Sequence, residues 1–218
     1  MITVHHLENS RSQRVLWLLE ELALPYTVKR YDRDPQTMRA PQDLIAIHPL
    51  GKAPIITEDE TVVAETGAIV TYLTDRAGGA LVPAPGTPER ARYTYWLHYA
   101  EGSAMPPLLL KLVFGRLAPQ SPWALRPLVR GIADTVLKSF VDPDLRRHAA
   151  FWEGELADRP FFCGAEFTAA DIMMSFPLEA FAARGTGTGP RVTAWLARIH
   201  ARPAYAAALE RGGPYAYA

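Results

Sequence analysis

The run Pro49-Leu50-Gly51-Lys52-Ala53-Pro54-Ile55-Ile56 and, shortly after it, Glu65-Thr66-Gly67-Ala68-Ile69 decide how the first third of this chain is read. Pro54 heads a β-rich run and cannot donate to a ladder, which places it at a strand start or an edge. A cis Ala53–Pro54 bond would leave a neighbouring backbone N–H and C=O free to pair with an extended peptide ligand. Glu65-Thr66 opens a segment with Ile69, Tyr72 and Leu73 on one helical face. A hydroxyl, unpaired N–H groups and the positive end of a helix dipole suit a ligand carboxylate, while the Glu65 carboxylate suits an ammonium. An amino-acid head group carries both charges. Taken singly, Pro54 shapes a turn, Glu65 caps a helix and Lys52 is a solvated lysine. In this order they read as a site.

Working outward, the preceding residues alternate strand and helix. Residues 2–6 form a short strand. Ser12 is placed as the N-cap of a helix with Val15, Leu18, Leu19 and Leu22 at i, i+3, i+4, i+7. Pro25 stops it, and Tyr26-Thr27-Val28-Lys29-Arg30-Tyr31 is β-rich. A short helix over 41–47, strands over 54–57 and 61–64, and the helix after Glu65 complete a βαβ-α-ββα order, whose first half implies parallel strands and a right-handed crossover. Residues 77–88, with three glycines and three prolines, read as a linker. Beyond them only helical patterns are found, over 89–115, 124–156, 169–183 and 191–209.

Composition narrows the function. Lys plus Arg is 23 and Asp plus Glu is 23, so no global field draws nucleic acid or an anionic membrane. No apolar run reaches the ~18 residues of a spanning helix, and the first residues do not resemble a secretory signal. A single cysteine, Cys163, excludes an internal disulfide and any Cys-x-x-Cys motif. It is read as a small buried apolar residue. His5 and His6 would point to opposite faces of a strand, which sets them poorly for a shared metal. Thr168-x-x-Asp171 is a capping box in its acidic form.

The 49–54 loop, Glu65-Thr66, and a first strand leading into Ser10-x-x-x-Arg14 resemble the glutathione site of cytosolic glutathione transferases. Residues 162–171 resemble that family's helix-start motif. The Tyr-Ala-Glu-Gly-Ser-Ala-Met-Pro-Pro segment at 99–107 resembles a yeast-like and bacterial branch, of serine type. The resemblance implies an α/β thioredoxin-like domain over 1–78, a linker over 79–87 and an all-helical domain over 88–218 that contributes an electrophile pocket. It implies a cytoplasmic homodimer that takes glutathione as co-substrate, uses no metal, and has no nucleic-acid or membrane partner. By the same resemblance Pro54 is the cis-proline and the Ile55 backbone holds the cysteinyl part. Glu65 and Thr66 take the γ-glutamyl head and Lys52 the glycyl carboxylate, while Tyr99 and Ser103 border the second-substrate pocket.

The thiol activator is less determined. A free thiol titrates near ~8.5, so a two-unit drop needs about 2.7 kcal/mol of selective stabilisation. One hydrogen bond to a charged acceptor supplies roughly 1.5–3 kcal/mol. Ser10, four residues before Arg14, is placed first as the donor and Asn9, through its amide, second; Ser12 is assigned to the helix cap. Expected chemistry is transfer of glutathione to a small hydrophobic electrophile. Peroxidase or isomerase activity on the same site, and a non-catalytic binding protein of the same fold, are the alternatives.

Overall fold

The structure is a computed structural model that describes residues 1–34, 36–37, 39–184 and 187–217. Its first part is a four-stranded sheet in the order β2-β1-β3-β4, built from β1 (Ile2–Leu7), β2 (Tyr26–Tyr31), β3 (Ile55–Glu58) and β4 (Thr61–Ala64). β1 and β2 run parallel through the crossover helix α1 (Ser12–Glu21), with Ile2 opposite Tyr26 and Leu7 opposite Tyr31. β3 returns antiparallel to β1, and β4 antiparallel to β3. The two-residue period of β1 divides its side chains between two layers. Ile2 and Val4 join the main core with α1, whereas Leu7 joins a smaller cluster with Tyr31, Ile55 and Leu44 of α2 (Gln42–Ile47). α3 (Thr66–Arg76) closes this part.

α1 has no solvent face over most of its length. Val15, Leu16, Trp17, Leu18 and Leu19 are all buried, because the sheet lies on one side and helical elements on the others. The expected cap is corrected here. Arg11 occupies the N-cap position without a side-chain cap bond, and Ser12 is the first helical residue. The Ser12 N–H donates to Ser10 Oγ (3.2 Å), so Ser10 does the capping. The Ser12 hydroxyl turns inward to His6 and the Leu7 carbonyl.

The second part is helical: α4 (Pro88–Tyr99), α5 (Met105–Gln120), α6 (Arg126–Val136), α7 (Asp142–Glu155), α8 (Ala169–Ala183), α9 (Pro190–His200) and α10 (Pro203–Gly212). The expected 89–115 and 124–156 helices each divide. A π-turn over Ala100–Ala104 joins α4 to α5, and another over Leu137–Val141 joins α6 to α7. Prolines stand in the first turn of α5 and of α7, where they lack an N–H and crowd the carbonyl four residues back. A wider turn relieves both defects without ending the helix. α8 runs through the centre with nearly every residue buried, started by the Thr168–Asp171 capping box. No helix among the described residues is long and apolar enough to cross a membrane.

Candidate functional site

Where β3, the start of α3 and the α1 entry loop meet the helical part, a small cleft is lined by Arg11, His48, Leu50, Lys52, Ala53, Pro54, Ala64, Glu65, Thr66 and Glu101. The Ala53–Pro54 bond is cis. The last paired position of β3 is Ile55, opposite His5 on one side and Ala64 on the other, so Ala53 lies beyond the ladder. Ile55 is fully buried inside the sheet, whereas Ala53 lines the cleft.

Glu65 adopts φ 71° and ψ 124° at the N-cap of α3 and makes no side-chain cap bond. Positive φ is unusual for a residue with a Cβ and accumulates at functional positions. Its carboxylate is therefore not spent on capping. Thr66, buried as the first residue of α3, presents its side chain beside the unpaired N–H groups of that helix. Lys52 is exposed along the same wall. Gly51 (φ 54°) completes the loop, where a Cβ would meet Ile45 Cγ1 at 2.6 Å. The structure thus brings Lys52, Pro54, Glu65 and Thr66 to one cleft.

Neither thiol-activator candidate, Ser10 or Asn9, is among the residues that line it. Ser10 is 7 % exposed, and its Oγ lies 2.7 Å from Ser12 Oγ, which in turn lies 2.9 Å from His6 Nδ1. Burial, reinforced by the Arg30 charge, pushes the His6 imidazole down to about 4, so it is neutral at pH 7. Asn9, at φ 47°, accepts the Ala216 N–H on its Oδ1 at 2.9 Å. Tyr99, expected to border the second-substrate pocket, is held in the helical part. Its hydroxyl contacts His148 Nδ1 and accepts from Trp152 Nε1 (3.1 Å) inside the α4–α7 aromatic cluster, 8 % exposed, so it does not line this cleft. Ser103 is exposed on the π-turn.

Two residues that the sequence reading passed over, Arg11 and Glu101, form the inner wall. Arg11 Nε is 3.3 Å from Glu101 Oε2, and Arg14 Nη2 holds Glu101 Oε1. Arg14 is 1 % exposed and also donates to the Met173 carbonyl. Burial works against the Glu101 charge, but Arg14 and Arg11 outweigh it and hold the carboxyl below its usual range. This ion-paired chain ties the α1 entry to the π-turn after α4. Glu101 lies inside the segment singled out for Tyr99 and Ser103, and Arg11 directly follows Ser10. Only the tertiary pairing tells them apart from solvated charges. A roomier groove, lined by Leu81–Ala84 and Cys163–Thr168, contains none of these residues.

A mixed βαβ-ββα sheet with a cis-proline cleft, set on a helical bundle, defines a protein built to hold a small peptide-like ligand between two parts. A family model for the glutathione S-transferase N-terminal domain matches residues 10–76, and one for the C-terminal domain matches 138–198. The chain is 33 % identical to glutathione S-transferase 3 of Schizosaccharomyces pombe, covering 97 % of this chain and 88 % of that protein. It is 32 % identical to glutathione S-transferase 1 of Saccharomyces cerevisiae, covering 97 % and 95 %. A glutathione S-transferase structure from Actinobacillus pleuropneumoniae superposes with a TM-score of 0.83 at 32 % identity, covering 99 % and 94 %. The chain belongs to the glutathione S-transferase family.

Proposed function

We propose that this protein conjugates the thiolate of reduced glutathione to a small hydrophobic electrophile. The observation that carries the proposal is the convergence in one cleft of groups matching the tripeptide along its length. The Glu65 carboxylate takes the γ-glutamyl ammonium, and Thr66 with the α3 N-terminus takes the adjacent carboxylate. The unpaired Ala53 backbone beside cis Pro54 takes the cysteinyl part, and Lys52 takes the glycyl carboxylate. Catalysis then rests on raising the thiolate fraction and on holding it near the electrophile. A serine-type version would have Ser10, or secondarily Asn9, donate to the thiolate, and would require Ser10 to release Ser12. The electrophile pocket is assigned to the helical part beside Ser103, with Tyr99 withdrawn from its lining. The same proposal carries domain limits of 1–78 and 88–218, a homodimer and a cytoplasmic location. Exposed Leu109, Val113 and Leu117 on α5 support the dimer.

The test is thioether formation from reduced glutathione and an activated chloronitroarene, followed by mass spectrometry. Each charged hydrogen bond is worth about 1.5–3 kcal/mol, so Glu65→Ala lowers kcat/KM roughly tenfold to a hundredfold. No thioether from the wild type contradicts the proposal. A parallel assay with an organic hydroperoxide separates transferase from peroxidase activity.

A further inference from the structure

We propose that Arg11 holds the glutathione thiolate, its terminal guanidinium N–H groups donating to the sulfur, and that Glu101 is the positioning residue that aims it. This assignment rests on the transferase reading above and replaces the hydroxyl and amide donors of the same loop.

The first observation is where the protons of Ser10 and Ser12 go. Ser10 Oγ accepts the Ser12 N–H at 3.2 Å and shares one proton with Ser12 Oγ at 2.7 Å. Ser12 Oγ also lies 3.3 Å from the Leu7 carbonyl, which can only accept, and 2.9 Å from His6 Nδ1. Ser12 has a single proton. Neutral His6 spends its ring proton on the Gly212 backbone, so its Nδ1 accepts the Ser12 proton; the Ser10 proton then fills the Ser10–Ser12 bond, and none remains for a sulfur. The Asn9 Oδ1 is anchored on the Ala216 N–H, and Asn9 is not among the residues that line the cleft.

The second observation is what remains in the cleft. Arg11 lines it together with Ala53 and Pro54, against which the cysteinyl part would lie. Apart from its ion pair with Glu101, the Arg11 guanidinium has no hydrogen-bond partner among the described residues. Its terminal donors are free, in a partly desolvated wall where a charge-assisted bond is strong. The charged and titratable groups around it are Glu101 on the π-turn, Arg14 behind Glu101 on α1, Glu65 at the start of α3, and Lys52 with His48 on the loop before β3.

The step balances simply. The thiol loses its proton to solvent while the guanidinium stays protonated throughout. The sulfur lone pair then forms the bond to the electrophilic carbon, and the leaving group departs with its electron pair.

The experiment compares pH profiles of kcat/KM for the wild type, Arg11→Ala, Arg11→Lys, Glu101→Gln and Ser10→Ala. Alongside these, binding of S-methylglutathione, which has no thiol to ionise, is measured by calorimetry. A cation within reach lowers a thiol pKa by about 1–3 units, so Arg11→Ala moves the acidic limb up by about one unit or more. The loss is then about tenfold near pH 6.5 and closes at high pH. Arg11→Lys falls between, Glu101→Gln moves the same limb less, and S-methylglutathione affinity changes less than about threefold. Ser10→Ala lowers stability and leaves the limb in place. An unmoved limb in Arg11→Ala overturns the assignment. So does a limb moved by Ser10→Ala, or a loss of S-methylglutathione affinity equal to that of glutathione, which would make Arg11 a carboxylate anchor. A wild type inactive at every pH overturns the transferase reading, and this assignment with it.

Discussion

Replacing Asp171 by Asn tests how the centre of the helical part is held. The Asp171 carboxyl is fully buried and collects four donors: Phe162 N–H (2.9 Å), Thr168 N–H (2.9 Å), Thr168 Oγ1 (3.1 Å) and Trp195 Nε1 (3.4 Å). An amide keeps one acceptor oxygen and turns its NH2 toward N–H donors on the other side. At least one buried N–H is then left unpaired, which costs about 1–3 kcal/mol, and the donor–donor contact adds to it. The pH dependence is the sharper signature. Burial pushes the carboxyl up to about 6, against the pull of the Phe162 and Thr168 N–H groups. Because the folded-state value lies above the ordinary one, this group's contribution is complete below about pH 4 and is lost as pH rises through about 6. A shift of about two units corresponds to about 3 kcal/mol. Urea unfolding at several pH values should show the gap between wild type and Asp171→Asn widening by up to about 3 kcal/mol from pH 7 to pH 4. A gap that stays flat, or narrows in acid, refutes the reasoning.

Three further outcomes follow from single contacts. Tyr215→Phe removes the hydroxyl that donates to buried Glu179 Oε2 at 2.6 Å, leaving that oxygen short of a donor. A loss of about 1–3 kcal/mol and faster amide exchange in residues 8–12, which the same tail touches through Asn9, are expected; unchanged exchange there contradicts the link. Burial pushes the Cys163 thiol up to about 12, so a thiol reagent should modify it far more slowly than an ordinary free thiol, and rapid labelling of the native protein contradicts that. Tyr99→Phe strands the Trp152 indole N–H and should cost about 1–3 kcal/mol of stability with little change in kcat/KM. The reverse pattern returns Tyr99 to the substrate pocket.

The sheet was legible because its signals are local. Pro25 and Pro54 punctuate it, β1 and β2 carry β-formers, and the periodic face of α3 starts where Glu65-Thr66 said it would. The grouping of Lys52, Pro54, Glu65 and Thr66 in one cleft was legible for the same reason, since they sit on two short, recognisable segments. The π-turns were not, because helical periodicity survives a one-residue bulge and only the proline positions hinted at it. The activator loop was misread at Ser12, since a serine before an apolar face looks like a cap whether it or Ser10 takes the N–H. The Arg11–Glu101–Arg14 chain joins residues ~90 apart, and no local pattern marks a charge that pairs at that distance.

The central claim is that this cleft holds reduced glutathione, and calorimetric titration of the tripeptide into the wild type and into Glu65→Ala tests it most directly. The account predicts saturable binding at a Kd of about 1 mM or tighter, about −4 kcal/mol or better, and clear weakening in the variant. No binding to the wild type, or binding indifferent to Glu65, contradicts it.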